Sequence, residues 1–116
     1  MNRFDEMTLQ MVQAEPDWDQ AAESRVYNLA EVLGVNVWNV IPVFGGALWA
    51  TPAIQAGDWD GFLSGLKTVV RNCKLHLPTL GIKKALDMFC NVCLVDPKLV
   101  EAYLQTSFEE IAALYE

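Results

Sequence analysis

The chain has 116 residues, 53% of them hydrophobic, which is enough material for one core and too little for two. Its 8 Lys and Arg residues are outnumbered by 15 Asp and Glu, a formal net charge of −7, so direct binding to nucleic acid is not expected. The first residues, MNRFDEMTLQ, lack an apolar signal region. We therefore expect a cytoplasmic protein, in its own cell or in an infected host cell.

The charges are segregated along the chain. Residues 1–31 carry seven acids and two bases, residues 67–84 five bases and no acid, and residues 87–116 six acids and one base. This pattern of two acidic ends around a basic middle suits internal pairing or head-to-tail contacts between copies. A homo-oligomer is thus one expectation.

Helix signals follow one another along the first third of the chain. Apolar residues within 4–12 predict a short helix that Pro16 ends. Asp17 is placed to cap a second helix, whose apolar positions recur at helical spacing as far as Leu33. Gly34 then predicts a left-handed stop.

The clearest helix is predicted to begin at Asp58 and to end before Pro78, with its apolar residues on one face. A further helix from Ile82 is expected to turn its apolar residues inward as far as Cys93 and Leu94.

The C-terminal region contains three signals for the start of a helix. Asp96 followed by Pro97 predicts a cap and a first-turn proline. Two possible capping boxes then precede the segment IAALY, namely Thr106 with Glu109 and Ser107 with Glu110. Together these signals predict an all-α protein, a compact bundle of five or six short helices in a single domain over residues 1–116.

The stretch 32–57 carries no charge and is long enough to cross a membrane. Pro42, Pro52 and the pair Gly45-Gly46 interrupt it, and no Lys or Arg anchors either end, so we predict a buried, broken core element and no membrane span. The residues expected at its centre, or in part on an exposed patch, are Trp38, Ile41, Phe44, Leu48 and Trp49.

Aromatic side chains are the candidate contacts for a protein partner, because such residues dominate binding hot spots. The partner-binding candidates are Trp38, Phe44, Trp49, Trp59 and Phe62. Each has a simpler alternative role as a core residue.

The three cysteines and the one histidine form a CxxH and a CxxC, made of Cys73, His76, Cys90 and Cys93. These are residue types that zinc prefers. If the two helices are antiparallel, however, Cys93 lies on the order of 15 Å along the axis from His76. Ligands of one zinc lie within about 4 Å of each other. We therefore expect no metal or other cofactor and buried free thiols, with a zinc-stapled module as the alternative.

No enzymatic activity is expected. Thr106 and Ser107 are better explained as helix caps, and with one histidine there is no base network. Paired acids such as Asp58 and Asp60 stand at helix starts, where the helix dipole favours them.

Two stretches carry a family resemblance, YNLAEVLGVNVWNVIPVFGGAL within residues 27–48 and LVDPKLVEAYLQTSFEEIAALY within 94–115. They resemble tail assembly chaperones of long-tailed bacteriophages. The resemblance implies a small cytoplasmic α-helical protein that coats the apolar helix of a tape-measure protein during assembly.

Two protein-binding functions thus remain open. The first is an assembly chaperone-like module that binds apolar or amphipathic helices, which predicts an apolar groove. The alternative is an acidic, phage-type inhibitor or adaptor that blocks a basic surface on a host nucleic-acid-processing protein. It predicts that the acids of residues 5–31 or 87–116 form one continuous face.

Overall fold

The structure is a computed structural model that describes residues 18–115, with side chains from residue 21 onward. Seven helices and no strand occupy this part of the chain. They are α1 (Trp18–Leu33), α2 (Val37–Phe44), α3 (Ala47–Gln55), α4 (Trp59–His76), α5 (Ile82–Val92), α6 (Pro97–Leu104) and α7 (Phe108–Tyr115). The all-α prediction is confirmed, and the predicted number of five or six holds if α2 and α3 are counted as one broken helix.

Local signals fixed most of the helix ends as predicted. Gly34 has the left-handed φ of +67° after α1. Asp58 accepts a hydrogen bond from the N–H of Gly61 at the start of α4, and Asp96 accepts one from the N–H of Lys98 at the start of α6. The helix predicted within 4–12 and the cap at Asp17 lie outside the described residues.

One core unites the helices, and α4 lies at its centre. This helix packs against α2 and α3 on one side and against α5 on another, while α5 also carries α6 and α7. Four completely buried phenylalanines, contributed by α2, α4, α5 and α7, fill the interior: Phe44, Phe62, Phe89 and Phe108. The rings of Phe62 and Phe89 lie 5.7 Å apart, within the range of favourable aromatic contact.

Small residues bring α3 unusually close to α4. A Cβ atom built on Gly46 would lie 3.5 Å from the Cα atom of Gly65, and one on Gly65 would lie 3.0 Å from the Cβ atom of Ala50. The neighbouring helix α2 is also bonded to α4, because the side-chain amide of Asn72 in α4 donates a hydrogen bond to the carbonyl of Pro42 (3.0 Å). Both helices of the uncharged segment therefore pack directly against α4.

The uncharged segment is broken between α2 and α3, as predicted, and its inward face is set by helical spacing. Most of its buried side chains recur at intervals of three and four residues, and Ala50 is buried beside them: Val40, Val43, Phe44, Ala47, Leu48, Ala50 and Thr51. Trp38 in α2 and Trp49 in α3 are instead exposed, with exposed fractions of 68% and 42%. Of the two placements that the sequence left open, Phe44 and Leu48 take the core, and Trp38 and Trp49 take the exposed surface.

Leu94 is a correction, since it was expected to point inward and is exposed. The chain leaves α5 through a left-handed turn at Leu94 (φ +59°), in which the N–H of Val95 bonds to the carbonyl of Cys90. This turn reverses the direction of the side chain and breaks the helical spacing on which the expectation rested.

Within the described residues, Val37–Gln55 is the one segment long and apolar enough to pass as a membrane span. Half of the most apolar 18-residue stretch of this segment is buried inside the protein. A core helix of a water-soluble protein has the same character.

Candidate functional site

A groove lies between α4 and α7 on the described surface. Both helices pack on α5, but they make at most marginal contact with each other, so a gap of about 730 Å³ remains between them. That volume is within the usual range for ligand sites, roughly 300 to 1,000 Å³.

The groove has an apolar floor and two different walls. Its floor consists of buried residues of α4, α5 and α7: Leu66, Ile82, Leu86 and Phe108. The α4 wall adds Leu63 and Val70, and the opposite wall adds Leu104, Ile111 and Leu114. From Leu63 to Lys74 the α4 wall runs about 16 Å, or three helical turns, at a rise of about 1.5 Å per residue.

Three cations stand along the α4 wall, Lys67, Arg71 and Lys74, and all three are exposed. They lie next to the apolar face of α4 because they follow it at helical spacings of four and three residues. The groove is therefore apolar inside and positively charged along one edge.

Two hydrogen bonds fix the start of α7 and hence the position of the opposite wall. The carboxylate of Glu101 in α6 accepts the N–H of Phe108 at 2.6 Å. The hydroxyl of Ser107 accepts the N–H of Glu110 at 3.1 Å, which confirms half of the predicted capping box. Leu114, with an exposed fraction of 80%, then stands over the groove with its side chain largely in water.

None of the five aromatic partner-binding candidates lines this groove. Phe44 and Phe62 have no exposed surface, so a partner cannot reach them without opening the core, and both leave the candidate set. Trp59 is half-buried, and its ring stacks on that of Tyr103 in α6 (centroids 4.0 Å apart, planes 6° apart). Trp38 and Trp49 are exposed and stay predictions for a separate surface.

The groove residues were missed because sequence analysis searched for aromatic side chains. One signal was available in the sequence. Lys67, Arg71 and Lys74 belong to the basic middle segment and also lie on the helix that was predicted to have an apolar face. The apolar end of the chain, at Ile111 and Leu114, supplied a second signal.

The thiols named as weak metal candidates, Cys73, Cys90 and Cys93, are free and buried. Residues 18–115 hold no group of three or more His, Cys, Asp or Glu side chains arranged to bind a metal ion. The Cys73 thiol lies 3.9 Å from the carbonyls of Leu77 and Gly81, at the end of the helix that His76 closes.

Burial raises the pKa of Cys90 and of Cys93 from the ordinary 9.0 to about 12. The buried Thr51 hydroxyl next to Cys93 lowers that pKa and so opposes the effect of burial, although the hydroxyl has no hydrogen-bond partner of good geometry. The Arg25 guanidinium also favours the Cys93 thiolate, against the larger effect of burial. The raised pKa leaves both thiols with less thiolate, the form in which cysteine acts as a nucleophile, than an exposed cysteine has.

A second cavity, of about 240 Å³, lies between α1 and α5. The Nε atom of Arg25 donates to the carbonyl of Val92 beside it (2.8 Å), while its Nη2 atom is buried without a hydrogen-bond partner. Since Val92 ends α5, whose last carbonyls lack helical partners, Arg25 serves to join α1 to that helix end.

Four acids of the C-terminal third make contacts within the chain. Asp87 pairs with Lys83 at 2.7 Å, and Asp96 and Glu101 each accept a backbone N–H. Glu110 accepts the Thr106 hydroxyl at 3.4 Å. These carboxylates stabilise helix starts and turns of this chain.

Comparison with protein-family models, with curated proteins and with solved structures finds no match to this chain.

Proposed function

We propose that this protein is a non-enzymatic binding module that holds an amphipathic helix of a partner protein in the groove between α4 and α7. The single observation that carries the proposal is the groove itself, an apolar trough about three turns long with walls formed by helices. Helix-in-groove recognition uses this geometry, with apolar side chains of the bound helix entering the trough every three or four residues.

The chemistry of the rim indicates which kind of helix fits. Lys67, Arg71 and Lys74 form one edge, so the outer side of any occupant lies beside charge and water. A uniformly apolar segment would leave these cations poorly solvated, whereas an amphipathic helix offers them polar groups. A partner with one apolar face and one polar face is therefore favoured.

An assembly chaperone in the cytoplasm is the role that best joins this groove to the resemblance to phage tail assembly chaperones. Such a protein shields the apolar face of a partner helix until assembly proceeds. The acidic inhibitor is less well supported by residues 87–116, because Asp87, Asp96 and Glu101 are already engaged within the chain. Most acids of its other predicted face, residues 5–31, lie outside the described residues.

The test is binding of a fluorescently labelled amphipathic peptide of about 18 residues, long enough to form a helix, with leucines on one face and glutamine and alanine elsewhere. Leu114→Gln removes an apolar contact from the groove wall and should weaken binding roughly tenfold. Leu99→Gln is the matched control, because Leu99 is also exposed but lies on α6 outside the groove. Fluorescence anisotropy gives both affinities.

Both variants should melt like the wild type, because each replaces a side chain that lies largely in water. No binding by the wild-type protein, or equal losses in both variants, would refute the proposal. Tight binding of a fatty acid with no binding of the peptide would show that the groove serves an apolar acid instead.

A further inference from the structure

The positive edge of the groove is regular. Lys67, Arg71 and Lys74 are separated by four and then three residues, so they form a single row on α4. At about 1.5 Å of rise per residue the row is about 10 Å long, most of the length of the trough. A helix lying in the groove would pass alongside all three side chains.

These cations are not neutralised by the described part of the protein. Among residues 18–115 the one ion pair is Lys83 with Asp87, which lies on α5, and no hydrogen bond engages the side chains of the row. The five bases of the segment 67–84 thus divide into Lys83, which is paired, Lys84, which is exposed outside the groove, and the row of three.

The opposite wall carries no charge into the groove. It is formed by Leu104, Ile111, Leu114 and Tyr115, next to the floor residue Phe108. Two acids of α7, Glu109 and Glu110, are exposed but do not line the groove. Because the two edges differ, the groove can distinguish the two flanks of an amphipathic helix.

We infer that the groove selects a partner helix that carries acidic residues along one flank, and that this flank lies against the Lys67, Arg71 and Lys74 row. The inference rests on the proposed function and names the class of its partner. A helix running parallel to α4 would match the row with acids spaced by four and then three residues. An antiparallel helix would need the reverse spacing.

Selection is physically reasonable even though the whole chain is acidic. The Debye length is about 8 Å at physiological ionic strength, so the row at the edge of the groove acts on a bound flank more strongly than distant acids do. Each exposed ion pair contributes little, but three in a row together can change affinity about tenfold.

The experiment compares three peptides that share one leucine face and differ in the flank, which carries Glu, Gln or Lys at the three positions. At low salt the Glu peptide should bind about tenfold more tightly than the Gln peptide, and the Lys peptide about tenfold more weakly. The differences should shrink at high salt, because the row is exposed.

Two triple variants localise the effect. Lys67→Gln with Arg71→Gln and Lys74→Gln should bring the three affinities together. The matched control, Lys83→Gln with Lys84→Gln and Lys98→Gln, removes the same amount of charge outside the groove and should preserve the differences. Thermal melting checks that both variants are folded, which is expected because all six side chains are exposed.

The outcomes separate the two proposals. Equal wild-type affinity for all three peptides would overturn the charge selection and leave helix binding intact. An equal effect of both triple variants would assign the preference to net charge and would also overturn it. Failure of every peptide to bind would refute the proposed function, and the inference with it.

Discussion

The two sides of α4 differ in how close the neighbouring helix comes. On the closed side, Gly65 meets Gly46 and Ala50 of the uncharged segment, and Asn72 bonds to Pro42. On the open side, leucines and a row of cations face α7 across a gap of about 730 Å³. Side-chain size explains the difference, since small residues allow helices to approach and large or charged residues hold them apart. One helix can thus build a core on one side and a binding groove on the other.

The largest effect should come from truncating a core residue of the closed side. Phe44→Ala removes a completely buried ring and should lower the free energy of unfolding by about 3 to 5 kcal/mol. Trp38→Ala, on the same helix but 68% exposed, should change it by no more than about 0.5 kcal/mol. Urea denaturation measures both. A large loss of unfolding free energy in Trp38→Ala would mean that Trp38 belongs to the core and would contradict the difference drawn here between Trp38 and Phe44.

Enlarging the helix contact should have the next largest effect. A Cβ atom at Gly65 would lie 2.6 Å from Cζ of Phe89, whose ring is completely buried. Gly65→Val should therefore destabilise the protein by about 2 kcal/mol, within the range for overpacked cores. Ser64→Val, one position away on the exposed surface of α4, is the control and should stay near the wild type. Equal melting of the two variants would mean that the contact is not tight.

A smaller, pH-dependent effect should arise at Cys93, whose pKa burial raises from 9.0 to about 12. A raised pKa means that the folded state holds the proton more tightly than the unfolded state does. The contribution of the protonated Cys93 thiol to the free energy of unfolding is therefore fully present below pH 9. It is lost progressively as the pH rises from 9 through about 12. Chemical denaturation of the wild type and of Cys93→Ala across this pH interval checks the sign. Above pH 9 the free energy of unfolding of the wild type should fall relative to that of Cys93→Ala.

If that difference stays constant up to pH 11, the thiol does not have the raised pKa that burial is expected to produce. The open side of α4 should behave differently. Lys67, Arg71 and Lys74 are exposed, so replacing them should not remove the loss of unfolding free energy that the thiols cause above pH 9.

Features that depend on a few neighbouring residues were predictable from the sequence. Gly34 as a left-handed stop and Asp58 and Asp96 as caps satisfy local backbone hydrogen bonds, and each occurs as expected. Leu94 shows the limit, because one left-handed residue redirected a side chain that helical spacing had placed inside. Local rules determine helix ends better than they determine burial beyond them.

The groove was less predictable because its existence depends on a distance between helices far apart in sequence. Lys67 and Leu114 share it only because α4 and α7 both pack on α5 without meeting each other. The same reason applies to Trp38. Its exposure follows from which face of α2 meets α4, a contact between residues far apart in sequence.

The most direct test of groove binding is a two-dimensional NMR titration of the ¹⁵N-labelled protein with the Glu-flanked peptide. Occupation of the groove predicts that the amide signals of residues 63–74 and 104–115 move together with peptide concentration, while the indole N–H signals of Trp38 and Trp49 stay in place. Movement of those two indole signals with no change in the groove residues would contradict it and would assign the partner to the tryptophan surface.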